Sequence, residues 1–388
     1  MATARPTALV VPWGSRSPLT GDPVSSRMCS VFVKLAVLSV FVVAVAGGCN
    51  GGGGGASSTG GTTGSSGTTG TAGNGGALQP WRSVASSSDG TKLFAGAFDG
   101  YIYASSDSGA TWTQTTAPQQ YWTSVASSSD GTKLVAVSSG AASSDGHIYT
   151  STDSGATWAE TTAPPQFWQS VASSSDGTKL VAAWPGNPPE PDVVPVGGHI
   201  YTSTDSGATW TETTAPQRFW QSVASSSDGT KLVAGANGCI YTSADSGTNW
   251  TQTTAPQQFW QSVTSSSDGT KLVALDTVDH ISGGHIYTST DSGATWTQRS
   301  LSAYWASVAS SSDGTKLVAV GSGDSRICTS TDSGATWTQQ STLQQWTSVA
   351  SSADGTKLVA VGYASYASNG GYIYTSTESG ATWTQRNW

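Results

Sequence analysis

Ser151-Thr152-Asp153-Ser154-Gly155-Ala156-Thr157-Trp158 is the stretch on which the fold turns. Asp-Ser-Gly between β-rich runs is a hairpin signal, because glycine takes positive φ without strain and the aspartate carboxylate accepts nearby backbone N–H groups. The pattern S-x-D-x-G-x-x-W recurs at boxes ending in Trp112, Trp210, Trp250, Trp296, Trp337 and Trp383. Its acidic residues are Asp107, Asp153, Asp205, Asp245, Asp291 and Asp332, with Glu378 in the last copy, where the turn is expected to close less well.

Outward from each box, the chain is one unit copied seven times. Trp81, Trp122, Trp168, Trp220, Trp260, Trp305 and Trp346 open the copies at spacings of 40 to 52 residues. A typical copy begins W-x-S-V-A-S-S-S-D-G-T-K-L-V-A and ends I-Y-T-S-T-D-S-G-A-T-W-T-Q. In the first copy this predicts four strands, at Ser83–Ser86, Lys92–Ala95, Tyr101–Ser105 and Thr111–Gln114. Four short antiparallel strands at such a period describe the blade of a propeller, so the fold class is all-β, a single seven-bladed β-propeller over residues 78–388. No strand is shared between the two ends of the ring. Blades one and seven are expected to meet mainly through apolar side chains.

Composition agrees with short strands. Charged residues are 10% of the chain, while Gly, Ser and Thr are abundant. A net charge of −8, with the propeller's lysines placed singly in turns, gives no footprint for nucleic acid.

The boxes resemble the Asp-box, or BNR, motif of sialidases, xyloglucan-cleaving glycosidases, sortilin-type receptors and photosystem II assembly factors. The resemblance covers the whole repeat region. It implies a propeller in which the box aspartate stitches a turn and the box tryptophan packs on the hairpin. Functions within that group differ, so the shared fold does not choose one.

Length variation separates the two rims of the predicted ring. The S-D-G-T-K turn never changes length, and from box tryptophan to the next opening tryptophan is 9 or 10 residues. All insertion falls between the second and third strands, shortest in copy four (Gly235–Gly238) and longest in copy three (Trp184–Gly198). One rim is therefore uniform and the other diversified, as expected when binding residues sit in loops on a rigid frame. Glu190, Asp192, Asp145, Asp276, Asp279, His280 and Asp324 are read as loop residues of the varied rim. Trp122, Trp168, Trp220, Trp260 and Trp305 lead into the inner strands and are candidates to ring the channel mouth, either stacking on a ligand or wedging between blades. Arg218, Arg299 and Arg326, like Arg82 and Arg386, occur once each near the same rim and are candidates to meet an anion.

Before the repeats, Val31 to Ala46 is an apolar run ending in Ala46-Gly47-Gly48-Cys49. It is short for a spanning helix and fits a secretion signal over residues 1–48, with Met28 as the expected start. The small residues before Cys49 resemble a bacterial lipobox, with Ala46 where leucine is usual, which implies lipidation at Cys49. Residues 49–77 are almost pure Gly, Ser and Thr, a tether with nothing to bury. The expected location is extracytoplasmic: a monomer, anchored to a membrane only through the lipid or secreted.

Catalysis is not expected. A sialidase needs three converging arginines and a tyrosine nucleophile beside a glutamate. Other glycosidases need two facing carboxylates. The inner strands instead read S-V-A-S almost throughout, and most aspartates are consumed by turns. Glu160 and Glu212 fall on outer strands, while His147, His199 and His285 share one position in separate copies, too far apart to share a metal. Cys239 and Cys328 are read as small packed hydrophobes. No cofactor is implied, and the partner is a glycan, peptide or protein. A sialidase-like hydrolase and a photosystem II assembly-type helper are the alternatives.

Overall fold

The structure is a computed structural model and describes residues 79–140, 146–187, 196–277, 283–323, 326–341, 344–365 and 368–387. The expected signal segment and tether, with Cys49, and Asp145, Glu190, Asp192, Asp279, His280 and Asp324 lie outside them.

Seven four-stranded antiparallel sheets follow one another, each built from a contiguous piece of chain in the order first, second, third, fourth strand. In blade one these are β1 (Trp81–Ser86), β2 (Leu93–Ala97), β3 (Ile102–Ser105) and β4 (Thr113–Gln114). Among the described residues the second strands are buried, and they read as apolar runs that turn polar only at the last residue, as in Leu134–Ser138 and Leu272–Asp276. A strand covered on both faces needs such a run, and each blade is covered by its two neighbours. The short fourth strands are exposed.

First strands of neighbouring blades touch around the whole ring, blade seven against blade one included. Two circles of hydrogen bonds join the blades, one through the turns that follow these inner strands and one through the strands themselves. In one, Ser88 N donates to Ser129 O, and the series continues through Ser175, Ser227, Ser267, Ser312 and Ala353, whose N–H returns to Ser88 O, all at 2.7–2.8 Å. In the other, the valine N–H of S-V-A-S donates to the serine Oγ of the preceding blade, from Val125 to Ser83 at 3.0 Å round to Val84 and Ser348 at 3.2 Å. The monotony of S-V-A-S thus has a cause: its serine satisfies a backbone donor across each seam, which would otherwise be left unpaired.

Closure adds hydrogen bonds to the expected apolar junction. Blade one and blade seven share an apolar core of Trp81, Val84 and Leu93 with Val359, Val361 and Ile373. They also carry both circles of hydrogen bonds, and Thr347 Oγ1 donates to Trp81 O at 3.0 Å. This seam is made like the other six.

Candidate functional site

On the uniform rim each box closes by the same bonds. Asp153 Oδ1 accepts from Ser151 Oγ and Thr157 N, both at 2.8 Å, and its Oδ2 accepts from Thr157 Oγ1 at 2.6 Å. Asp107, Asp205, Asp291 and Asp332 repeat this arrangement, and Asp245 does so with Asn249 in place of threonine. Glu378, one methylene longer, takes Thr382 Oγ1 at 2.9 Å, whereas each aspartate draws in three donors. The serine before each box glycine is itself left-handed, with φ of 54–60°. In six seams its Oγ accepts from the Lys Nζ of the preceding blade, as Ser154 does from Lys92 at 3.2 Å. The lysines read as isolated turn residues are therefore seam clamps. Two recesses of about 10 Å³ lie between blades on this rim, each with room for about one water molecule.

The second repeated turn uses Asp89, Asp130, Asp176, Asp228, Asp268, Asp313 and Asp354. Ser87 Oγ donates to Asp89 Oδ1 at 2.6 Å and Thr91 N at 2.9 Å, and every copy matches. The serine hydroxyl foremost, then the threonine N–H, hold these carboxyls down at about 2.

The varied rim is organised differently. Trp122, Trp168, Trp220, Trp260 and Trp305 are 0–2% exposed, like Trp81 and Trp346, and sit in the cores between blades. Trp168 meets Tyr201 edge to face at 5.3 Å, and the same contact recurs in five other blades. These indoles wedge the frame and present no face to a ligand. The aromatic residue just before each is half-buried on the rim: Tyr121, Phe167, Phe219, Phe259 and Tyr304.

The arginines do not gather. Arg218 Nη1 donates to Gln217 O at 3.0 Å and Nη2 to Tyr241 OH at 3.4 Å. Arg299 Nε donates to Thr288 Oγ1 at 2.8 Å, and Arg326 Nη1 to Ser302 O at 3.2 Å. Each belongs to a different blade and is held by its own neighbourhood. Thr288 immediately precedes a box serine, so Arg299 reaches toward the uniform side rather than the varied one.

Three polar clusters escaped sequence reading. His147 Nδ1 lies 2.9 Å from Glu160 Oε1, and Tyr149 OH donates to Glu160 Oε2 at 3.2 Å. His199 Nδ1 lies 2.7 Å from Glu212 Oε1, Tyr201 OH donates to Glu212 Oε2 at 3.0 Å, and Trp184 stacks on the imidazole at 5.7 Å. Burial and then Glu212 push the Tyr201 phenol up to about 12. In blade five, Asp276 is not a loop residue: it ends the second strand, fully buried, and accepts from His285 N, while its Oδ2 has no hydrogen-bond partner. Burial pushes its carboxyl up. The signal was in the copies themselves, since blades with histidine at this position carry a carboxylate at Glu160, Glu212 or Asp276, and blade four, with Cys239 there, carries Ala236 and Gln252 instead. Cys239 and Cys328 are buried in the inter-blade cores.

No family model matches the chain, and no curated protein does. Among solved structures it is similar to the Niastella koreensis GH74 enzyme, with a TM-score of 0.63 and 16% identity over 80% of this chain and 55% of that one. The chain thus spans little more than half of that enzyme's length. It is also similar to YCF48 bound to a D1 peptide (TM-score 0.56, 16% identity, 78% and 94% covered). A third likeness is to the Kuenenia stuttgartiensis hydrazine synthase (TM-score 0.60, 14% identity, 76% and 95% covered). At these identities the likeness is one of fold, shared by enzymes and by a protein seen with a peptide.

Proposed function

We propose that this chain is a non-catalytic binding or scaffolding module, held outside a membrane by a lipid on Cys49, whose varied rim recognises a glycan, peptide or protein. The supporting observation is the one-sided placement of difference: seven copies share one frame, and their unequal loops all open on the same rim. In this reading the S-x-D-x-G-x-x-W hairpins are Asp-boxes that serve the frame, as their repeated internal hydrogen bonds suit. Gln79, the first of the described residues, pairs with Gly371 of blade seven.

The test is binding of the full chain to glycan and protein arrays, with a variant in which residues 185–197 are replaced by the Asn237-Gly238 turn of blade four. Binding should be lost or redirected at unchanged thermal stability. A ligand that survived replacement of each long loop in turn would remove the proposal. A second reading, a glycoside hydrolase, draws on the likeness to the GH74 enzyme and on the tyrosine–glutamate hydrogen bonds of blades two and three. Release of reducing sugar from β-glucans or sialosides, abolished by Glu212→Gln, would favour it.

A further inference from the structure

Apart from Thr264, the inner strands from the opening tryptophan onward vary at one position, the residue after that tryptophan: Arg82, Thr123, Gln169, Gln221, Gln261, Ala306 and Thr347. In six blades the register slips there. Trp220 faces Ala236 and Ser222 faces Gly235, leaving Gln221 as the unpaired residue of a β-bulge. In blade three the strand begins at Ser170, so Gln169 stands just outside the ladder. A bulge turns its extra residue out of the sheet, here on the strand nearest the axis and at its varied-rim end.

Five of these seven residues fall into two groups. Thr123 and Thr347 spend their hydroxyls on the seam, donating to Trp168 O at 2.8 Å and Trp81 O at 3.0 Å. Blades three, four and five instead carry one triplet, Phe167-Trp168-Gln169, Phe219-Trp220-Gln221 and Phe259-Trp260-Gln261. In each, the tryptophan is 0% exposed while the phenylalanine and glutamine are half-buried. Backbone bonds pin two of the phenylalanines to the rim: Asn237 N donates to Phe219 O at 3.2 Å and Thr277 N to Phe259 O at 2.8 Å. Gln221 Nε2 turns back toward the backbone carbonyl of Phe219 at 3.5 Å, so the amide stays at the same end of its strand as the phenylalanine.

We propose that this arc is a strip of three like subsites for a neutral oligosaccharide. The inference rests on the reading of the varied rim as the binding face and narrows it to one ligand class. A primary amide offers a donor and an acceptor side by side, matching a vicinal pair of sugar hydroxyls, and an aromatic ring accepts the apolar face of a pyranose. Three copies of the same pair suit a ligand that is itself a repeat. Arg82, the one charged residue among the seven, lies in blade one, outside the arc. An extended peptide pairing with the inner strands is disfavoured, because the valine N–H groups there already donate to serine Oγ across every seam.

The test is titration calorimetry of the full chain with cellohexaose, xylohexaose and mannohexaose. At least one should bind, and the triple variant Gln169→Ala, Gln221→Ala, Gln261→Ala should weaken it by about tenfold or more at an unchanged melting temperature. Should the triple variant unfold, the single Gln→Asn variants, each withdrawing the amide by one methylene, should each weaken binding by about two- to fivefold. A hexaose that binds native chain and variants alike overturns the strip while leaving a binding rim. If none of the three binds, the strip is also overturned, and a loop-dependent protein ligand found on the arrays would then preserve the broader proposal alone.

Discussion

The two rims are made from the same seven copies and differ in what their polar groups face. On the uniform rim, aspartates, serines, threonines and lysines are bonded to one another within a blade or to the next blade. Gly90 shows how tightly: a Cβ there would come within 2.7 Å of Lys357 Cβ in the neighbouring blade. On the varied rim the copies part company, and half-buried Phe, Tyr and Gln side chains stand beside histidine–carboxylate pairs present in some blades only. Residues that repeat are holding the ring, and residues that change are free to do something else.

That comparison can be broken or sharpened by experiment. Trp220 lies toward the varied end yet is 0% exposed, so it counts as frame. Trp220→Ala should cost about 3–5 kcal/mol in denaturant unfolding. A loss under about 1 kcal/mol would move the boundary of the frame inward. Ser222→Ala strips Val263 N of its acceptor across a seam and should cost about 1–3 kcal/mol, while loop shortening on the varied rim leaves the unfolding midpoint near its native value.

Acid should separate the regions by sign. The seven turn aspartates titrate at about 2 in the fold against an ordinary 3.8, so their contribution is complete above pH 4 and is lost as pH falls toward 2. Asp276 runs the other way: its carboxyl is raised by burial, so its contribution is complete in acid and is lost as pH rises above the ordinary value. Asp276→Ser, which copies the Ser138 Oγ that accepts from His147 N at 3.0 Å, should therefore stabilise the chain by about 1 kcal/mol at pH 7. Thermal melts should show that gain shrinking toward pH 4, and a constant gain across this range would contradict the assignment. The smallest effect is expected from Glu378→Asp, which restores the carboxylate contacts of the other boxes and should raise stability by about 0.5 kcal/mol.

Much of the frame could be read from residues alone, because it is written seven times. The blade count, strand order and assignment of loops to rims follow from the spacing of Trp81 to Trp346 and from turns whose glycines sit at positive φ. What repetition conceals is the purpose of an invariant residue. Trp168 in every copy is equally a ligand platform or a wedge until its burial is known, and the serine of S-V-A-S gives no hint that its Oγ serves another blade. Asp276 looked like a loop carboxylate because the end of a strand cannot be placed to one residue from pattern. His147 and Glu160 are 13 residues apart, and only the pairing of third with fourth strand brings them together.

The closing seam carries a consequence for how such a chain can be cut. Blades one and seven are each complete in sequence and are joined by the two circles of hydrogen bonds that cross the other six junctions, so this junction is not privileged. A circular permutant opened between blades three and four, with its old ends linked from Arg386 to Gln79, should refold to the same ring. The genetic order of the blades is then a convention of where reading starts.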